Sequence, residues 1–137
     1  MLGVDQLELV VSRSDYLVVC LALTDETRNI INSTVLKSAK KGMVLFNIGR
    51  GQLIDEDALV EALRNDTLRG AALDVFATEP LPKTSPIWAL PNVLISPHNA
   101  DLTVDSRYKS VRLFTENCAR FVARDDLQCI VDKSAGY

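Results

Sequence analysis

The sequence predicts an α/β fold built on an open parallel sheet, and three observations carry that prediction. Short apolar runs without alternation occur at residues 16–21, 44–47, 71–75 and 93–96, as in strands covered on both faces. Between them lie segments whose apolar residues recur at three- and four-residue steps, the pattern of an amphipathic helix. Repeated strand–helix units joined by right-handed crossovers give a parallel, doubly wound sheet, here a partial one followed by a long C-terminal helix.

The elements follow in order. Leu7, Val10 and Val11 share one face of a short opening helix, and residues 16–21 form the first strand. Ser33 is placed to cap a helix over residues 34–40, with Gly42 suited to closing it. After the strand at residues 44–47, Asp55 caps a helix whose Ala58, Leu59, Ala62 and Leu63 face inward, and Gly70 leads into the third strand. Pro80, Pro82, Pro86 and Pro91 make residues 76–92 an irregular loop, because proline lacks a donor and fixes φ. Beyond the fourth strand, Asp101 or Thr103 starts a helix in which Tyr108, Val111, Phe114, Cys118, Phe121 and Val122 recur as a packing stripe. Its length is on the order of 30 Å.

Composition narrows the function. At 137 residues, 47% of them hydrophobic, the chain can bury one ordinary core. A net charge of −3 offers no basic excess for nucleic acid or anionic lipid. No apolar run approaches the roughly 20 residues of a membrane span, and the amino terminus lacks the cationic start and apolar core of a signal peptide. A soluble, intracellular and cytoplasmic protein is therefore expected. Cys20, Cys118 and Cys129 are odd in number and widely spaced, so they read as buried or half-buried thiols, without a disulfide framework or metal site.

Arg50, Glu79 and His98, the last being the single histidine, each follow a predicted strand. In an open parallel sheet ligands bind in the crevice at the carboxyl ends of the strands. A guanidinium grips a carboxylate through its planar fork, an imidazole hands a proton to a carbonyl oxygen, and a neighbouring carboxylate orients that imidazole and favours its charged form. Together they suit proton-coupled reduction of a 2-oxo acid. A strand–G-x-G-x-x-G–helix unit, which cradles a dinucleotide pyrophosphate, is missing: Gly49 and Gly51 would need a third glycine where Ile54 stands.

The segment from Lys40 to Glu56, with Asn47-Ile48-Gly49-Arg50-Gly51 at its centre, resembles the arginine signature of the D-isomer-specific 2-hydroxyacid dehydrogenases. Ser14-Asp15-Tyr16 through Thr27, Gly70 through Phe76 with Glu79-Pro80, and Pro91-Asn92-Val93 with Pro97-His98-Asn99-Ala100 extend the likeness in the family's order. The resemblance spans nearly all 137 residues and implies the second half of a Rossmann-like NAD-binding domain plus its carboxyl-terminal tail, with β/α units to about residue 100 and helix and tail over residues 101–137. It implies that Arg50 binds the substrate carboxylate, that His98 is the acid/base held by Glu79, and that Leu21, Thr27, Ile48, Gly49, Arg50, Asp74, His98 and Ala100 border the cofactor, NAD or NADP.

Its further implications are a small 2-oxo or 2-hydroxy acid as substrate, a homodimer or a contact through the exposed sheet edge, and little activity for these 137 residues alone, since the first nucleotide-binding half and the substrate domain have no counterpart. Departures fall at Cys20 and Ala22, where the family often has histidine and proline, at Ile48-Gly49, and at the charged Asp101, all of which bear on substrate choice. Trp88 reads as a loop anchor on the domain surface; the resemblance, in which the loop before the histidine strand can approach the active site, implies a place on the substrate side instead. The rival reading from another class is a non-catalytic nucleotide-fold module that binds a partner along its bare sheet edge.

Overall fold

A computed structural model describes residues 3–136, which divide into two compact units, one ending at His98 and one beginning at Asn99. In the first unit the order is α1 (Leu7–Arg13), β1 (Tyr16–Val19), α2 (Ser33–Lys37), β2 (Met43–Asn47), α3 (Glu56–Arg64), β3 (Leu68–Leu73) and β4 (Val93–Ile95). The strands form one sheet in the order β1-β2-β3-β4, every neighbouring pair parallel. Parallel neighbours need a crossover between them, and all four carboxyl ends consequently reach the same edge.

One face of the sheet is the core. Val19, Met43, Leu45, Leu68, Ala71 and Leu73 are buried there with Val11 of α1, Val35 and Leu36 of α2, and Leu59 and Leu63 of α3. Asp55 caps α3 as expected, its carboxylate accepting from Ala58 N at 3.1 Å. The cap of α2 is Asn32 instead of Ser33, accepting from Val35 N at 3.1 Å, so the helix begins one residue early and ends at Lys37, short of residue 40. Gly42 has φ +84°, the left-handed conformation that glycine adopts without a Cβ penalty.

The other face is bare, which corrects the expectation of strands covered on both sides. Tyr16 and Val18 of β1 lie opposite Val44 and Phe46 of β2, and Ala72 of β3 lies between Phe46 and Leu94 of β4. Tyr16, Val18 and Leu94 are 61%, 54% and 75% exposed. A run apolar at every position thus records what the strand can pack against on both faces, while the unit's own helices occupy one. β1 also stops at Val19, and β3 takes in Gly70, whose missing side chain lets Asn92 O approach to 2.8 Å from a notional Cβ.

The second unit holds α4 (Ser106–Ala123), about 27 Å long at 1.5 Å per residue. It starts after Asp105, later than Asp101 or Thr103, and ends at Arg124 in the left-handed conformation. None of its residues is buried, and Tyr108, Val111, Phe114, Phe121 and Val122 are all exposed. The expected packing stripe exists as a pattern but has no partner within this unit. The cysteines are corrected likewise: Cys20, Cys118 and Cys129 are free and exposed, because they lie past the end of β1, on this uncovered helix and in the tail. Among the described residues no helix is long and apolar enough to cross a membrane.

Candidate active site

The site is built from loops that leave the carboxyl ends of the strands. Asn47 closes β2 on the core face, 1% exposed. Its side chain spans the following turn, with Oδ1 accepting from Gly49 N at 3.1 Å and Nδ2 donating to Arg50 O at 3.0 Å. A buried amide needs both kinds of partner, and satisfying them sets the path of the chain into Arg50. The Arg50 guanidinium is exposed and donates to Gly49 O at 2.9 Å. Gly51 presses this turn against the loop after β3: a Cβ there would lie 1.8 Å from Phe76 C and 2.3 Å from Ala77 N. Gln52 Nε2 donates to Ala77 O at 3.1 Å, and Ala77 N donates to Glu56 Oε1 at 2.6 Å.

The other two groups are fixed from that loop and from the end of β4. Glu79 Oε1 accepts from Phe76 N at 2.9 Å, and Oε2 lies 2.7 Å from His98 Nδ1. The main chain continues the ladder beyond the strands, Asp74 N donating to Asn47 O at 3.0 Å and His98 N to Asp74 O at 2.8 Å. Asp74 is 4% exposed and its Oδ1 accepts from Ser96 Oγ at 2.5 Å. His98 has φ +53°, a left-handed conformation uncommon outside glycine, which costs on the order of 1 kcal/mol. The ladder bond and the Glu79 contact hold it there.

Electrostatics link the three charged groups. The hydrogen bond from His98 holds the Glu79 carboxyl below its ordinary value, assisted by Phe76 N–H and by the charges of His98 and Arg50, against a smaller opposing effect of desolvation. An ionised Glu79 on Nδ1 leaves Nε2 as the ring nitrogen free to exchange a proton with a ligand. The His98 and Glu79 side chains remain 45% and 35% exposed, open to an incoming molecule. Beside them lies a cavity of about 440 Å³ between the loop after β3 and the end of β4.

The remaining expected residues divide in two. Gly49 packs against the backbone of Leu21, where a Cβ would come within 3.1 Å of Leu21 O, so Leu21, Ile48 and Gly49 meet at the ends of β1 and β2. Leu21 and Ile48 are 40% and 50% exposed. Thr27 folds the loop after β1, its hydroxyl donating to Ala22 O at 2.7 Å and accepting from Thr24 N at 2.8 Å. Ala100 lies in the second unit. Sequence reasoning passed over the turn-spanning role of Asn47, the Ser96 hydroxyl and the pressed Gly51. A lone polar residue closing an apolar run was the available signal for the first; nothing in the sequence announced the other two. No group of three or more His, Cys, Asp or Glu residues is placed to hold a metal among the described residues.

A profile described as D-isomer specific 2-hydroxyacid dehydrogenase, NAD binding domain, matches residues 2–100. The chain belongs to this family. It is 43% identical over 111 residues to glyoxylate/hydroxypyruvate reductase B of Serratia proteamaculans, covering 81% of this chain and 34% of that protein. A D-isomer specific 2-hydroxyacid dehydrogenase from Xanthobacter autotrophicus, solved with NADPH and MES, superposes with a TM-score of 0.91 at 38% identity, covering 98% of this chain and 55% of the other. The NADPH-dependent glyoxylate/hydroxypyruvate reductase of Sinorhizobium meliloti, solved with NADP and sulfate, gives 0.88 at 37% identity, covering 97% and 43%. The chain thus spans well under two thirds of these D-2-hydroxyacid dehydrogenases, and the shared part includes the loops that carry Arg50, Glu79 and His98.

Proposed function

We propose that these residues form the substrate-activating half of the NAD(P)-binding domain of an oxidoreductase that interconverts a small 2-oxo acid and the D-2-hydroxy acid. The observation that carries this reading is the 2.7 Å His98–Glu79 pair, with the Arg50 charge close enough to help depress the Glu79 carboxyl. In the reducing direction Arg50 grips the carboxylate and polarises the adjacent carbonyl. His98 donates its Nε2 proton to the carbonyl oxygen, and Glu79 stabilises the imidazolium before that transfer and orients the ring throughout. NAD(P)H, when bound, would supply the hydride for the carbonyl carbon and be left oxidised beside the hydroxy acid.

The residues fit one end of that cofactor. Exposed Leu21 and Ile48, with Gly49 against the Leu21 backbone, offer an apolar surface for a flat ring at the ends of β1 and β2. For the pyrophosphate these 137 residues hold no glycine-rich strand–loop–helix unit, so they bind the dinucleotide weakly by themselves. Joined behind the front segments of a glyoxylate/hydroxypyruvate reductase, the chain should support NAD(P)H-dependent reduction of 2-oxo acids, and His98→Ala should lower turnover by roughly 10²–10⁴-fold. A variant with near-normal turnover would make His98 structural. The alternative, a non-catalytic interaction module, draws on the bare face around Tyr16, Val18 and Leu94. It predicts a binding partner and no loss of function in the His98 variant.

A further inference from the structure

We infer that the cavity beside His98 receives the substituent of the 2-oxo acid, that it selects an apolar substituent over a hydroxylated one, and that Trp88 is the residue that sets this choice. The inference rests on the functional reading above and adds the substrate class. Phe76, Leu81, Trp88, Ile95 and Pro97 line it together with Glu79, Ser96 and His98. Carbon therefore lines most of the space next to the group that meets the reacting carbonyl.

The polar atoms in the same walls are already engaged. Glu79 uses one oxygen on Phe76 N–H and the other on His98. The Ser96 hydroxyl donates to Asp74, and Trp88 Nε1 donates to Pro82 O at 3.0 Å. A hydroxymethyl group entering here finds no side-chain donor uncommitted except the His98 Nε2 proton, which the carbonyl oxygen needs, and its own proton can go only to Glu79 or Ser96 oxygens that are already in hydrogen bonds. Placing a hydroxyl against walls that are mostly carbon gives up part of its hydration for few contacts, while an ethyl group of similar size gains from leaving water. The volume of about 440 Å³ would hold on the order of ten water molecules, far more than the single hydrogen that glyoxylate carries at that position.

Trp88 is placed to decide the outcome. It sits in a short 3₁₀ turn, Pro86–Ala89, anchored by buried Ile87 and by Ser85 Oγ, which accepts from Ile87 N at 3.3 Å. Its indole is held by the bond to Pro82 O, lines the cavity and is 54% exposed. An anchor that served only to hold the loop would have no reason to leave its ring open beside the acid/base.

Hydroxypyruvate and 2-oxobutanoate test this, being nearly equal in size and differing by a hydroxyl against a methyl; glyoxylate and 4-methyl-2-oxopentanoate extend the series. Binding to the 137-residue chain is measured by ligand-observed NMR titration, with fluorescence of the single tryptophan as a second readout for the parent. The dissociation constant of 2-oxobutanoate should lie on the order of tenfold below that of hydroxypyruvate, with 4-methyl-2-oxopentanoate tighter by up to about fourfold per added methylene. Trp88→Ala should collapse these ratios, and Trp88→Phe should restore them. Equal binding of the two isosteres, or ratios that survive Trp88→Ala, overturns the inference while the functional reading stands, provided binding is lost in Arg50→Gln. Where the 137 residues alone bind none of these acids, the same ratios are read as kcat/KM in the chain joined behind the front segments, and binding or turnover that ignores Arg50 removes that reading and this inference with it.

Discussion

Replacing Gly51 with alanine tests whether the turn carrying Arg50 is pressed against the loop carrying Glu79. The new Cβ would lie 1.8 Å from Phe76 C, 2.1 Å from Phe76 O and 2.3 Å from Ala77 N. All three are backbone atoms, so no rotamer change relieves the overlap, and the two segments must part by more than 1 Å merely to reach 3.0 Å. Overpacking of this kind costs about 1–3 kcal/mol and occasionally more; with main chain on both sides the upper end applies, about 3 kcal/mol. Gly42→Ala is the comparison, because a Cβ there meets nothing within 4 Å and only the φ of +84° resists it, for about 1 kcal/mol. Urea denaturation measures both, and a fall of roughly 10 °C in melting temperature should accompany Gly51→Ala. A Gly51→Ala midpoint no lower than that of Gly42→Ala would refute the close approach, and with it the account of how the turn carrying Arg50 is seated against the loop carrying Glu79.

Other predictions address the site directly. Asn47→Ala strips Gly49 N–H and Arg50 C=O of their partners and should cost about 1–3 kcal/mol in urea denaturation; a change under about 0.5 kcal/mol would show that the turn is held by other means. Glu79 is held below its ordinary value of 4.5, chiefly by the hydrogen bond from His98. A depressed carboxylate contributes stability above the unfolded value and loses it as pH falls through the folded one. The stability difference between parent and Glu79→Gln should therefore shrink as pH falls below 4.5, and a difference unchanged by acidification through that range would contradict the pairing. Arg50→Lys should raise the dissociation constant of 2-oxo acids by roughly tenfold, since an ammonium cannot reproduce the planar fork; unchanged binding would remove Arg50 from substrate recognition.

Much of this molecule was legible from local pattern. Asp55 as a cap, the inward stripe of α3, the four parallel strands and the irregular proline-rich loop each follow from residues close in sequence, whose propensities and spacing act before any tertiary contact forms. The same holds for the placement of Arg50, Glu79 and His98 after strands, because the register of a parallel sheet sends every strand end to one edge.

Apolar patterning, by contrast, reports the capacity to be buried, and burial depends on what arrives from elsewhere. Strands apolar on both faces and a striped α4 were read as covered, yet Val18, Leu94 and Phe114 are exposed. Site geometry also needed the tertiary structure. Gly51 against Phe76, the two hydrogen bonds of the Asn47 amide across its turn, the left-handed His98 and the Trp88 wall all join residues through shared space, and a linear sequence carries no term for distances of that kind. Residue chemistry was thus present in the sequence from the outset; which atoms stand 2.7 Å apart was decided by how the loops pack at the sheet edge.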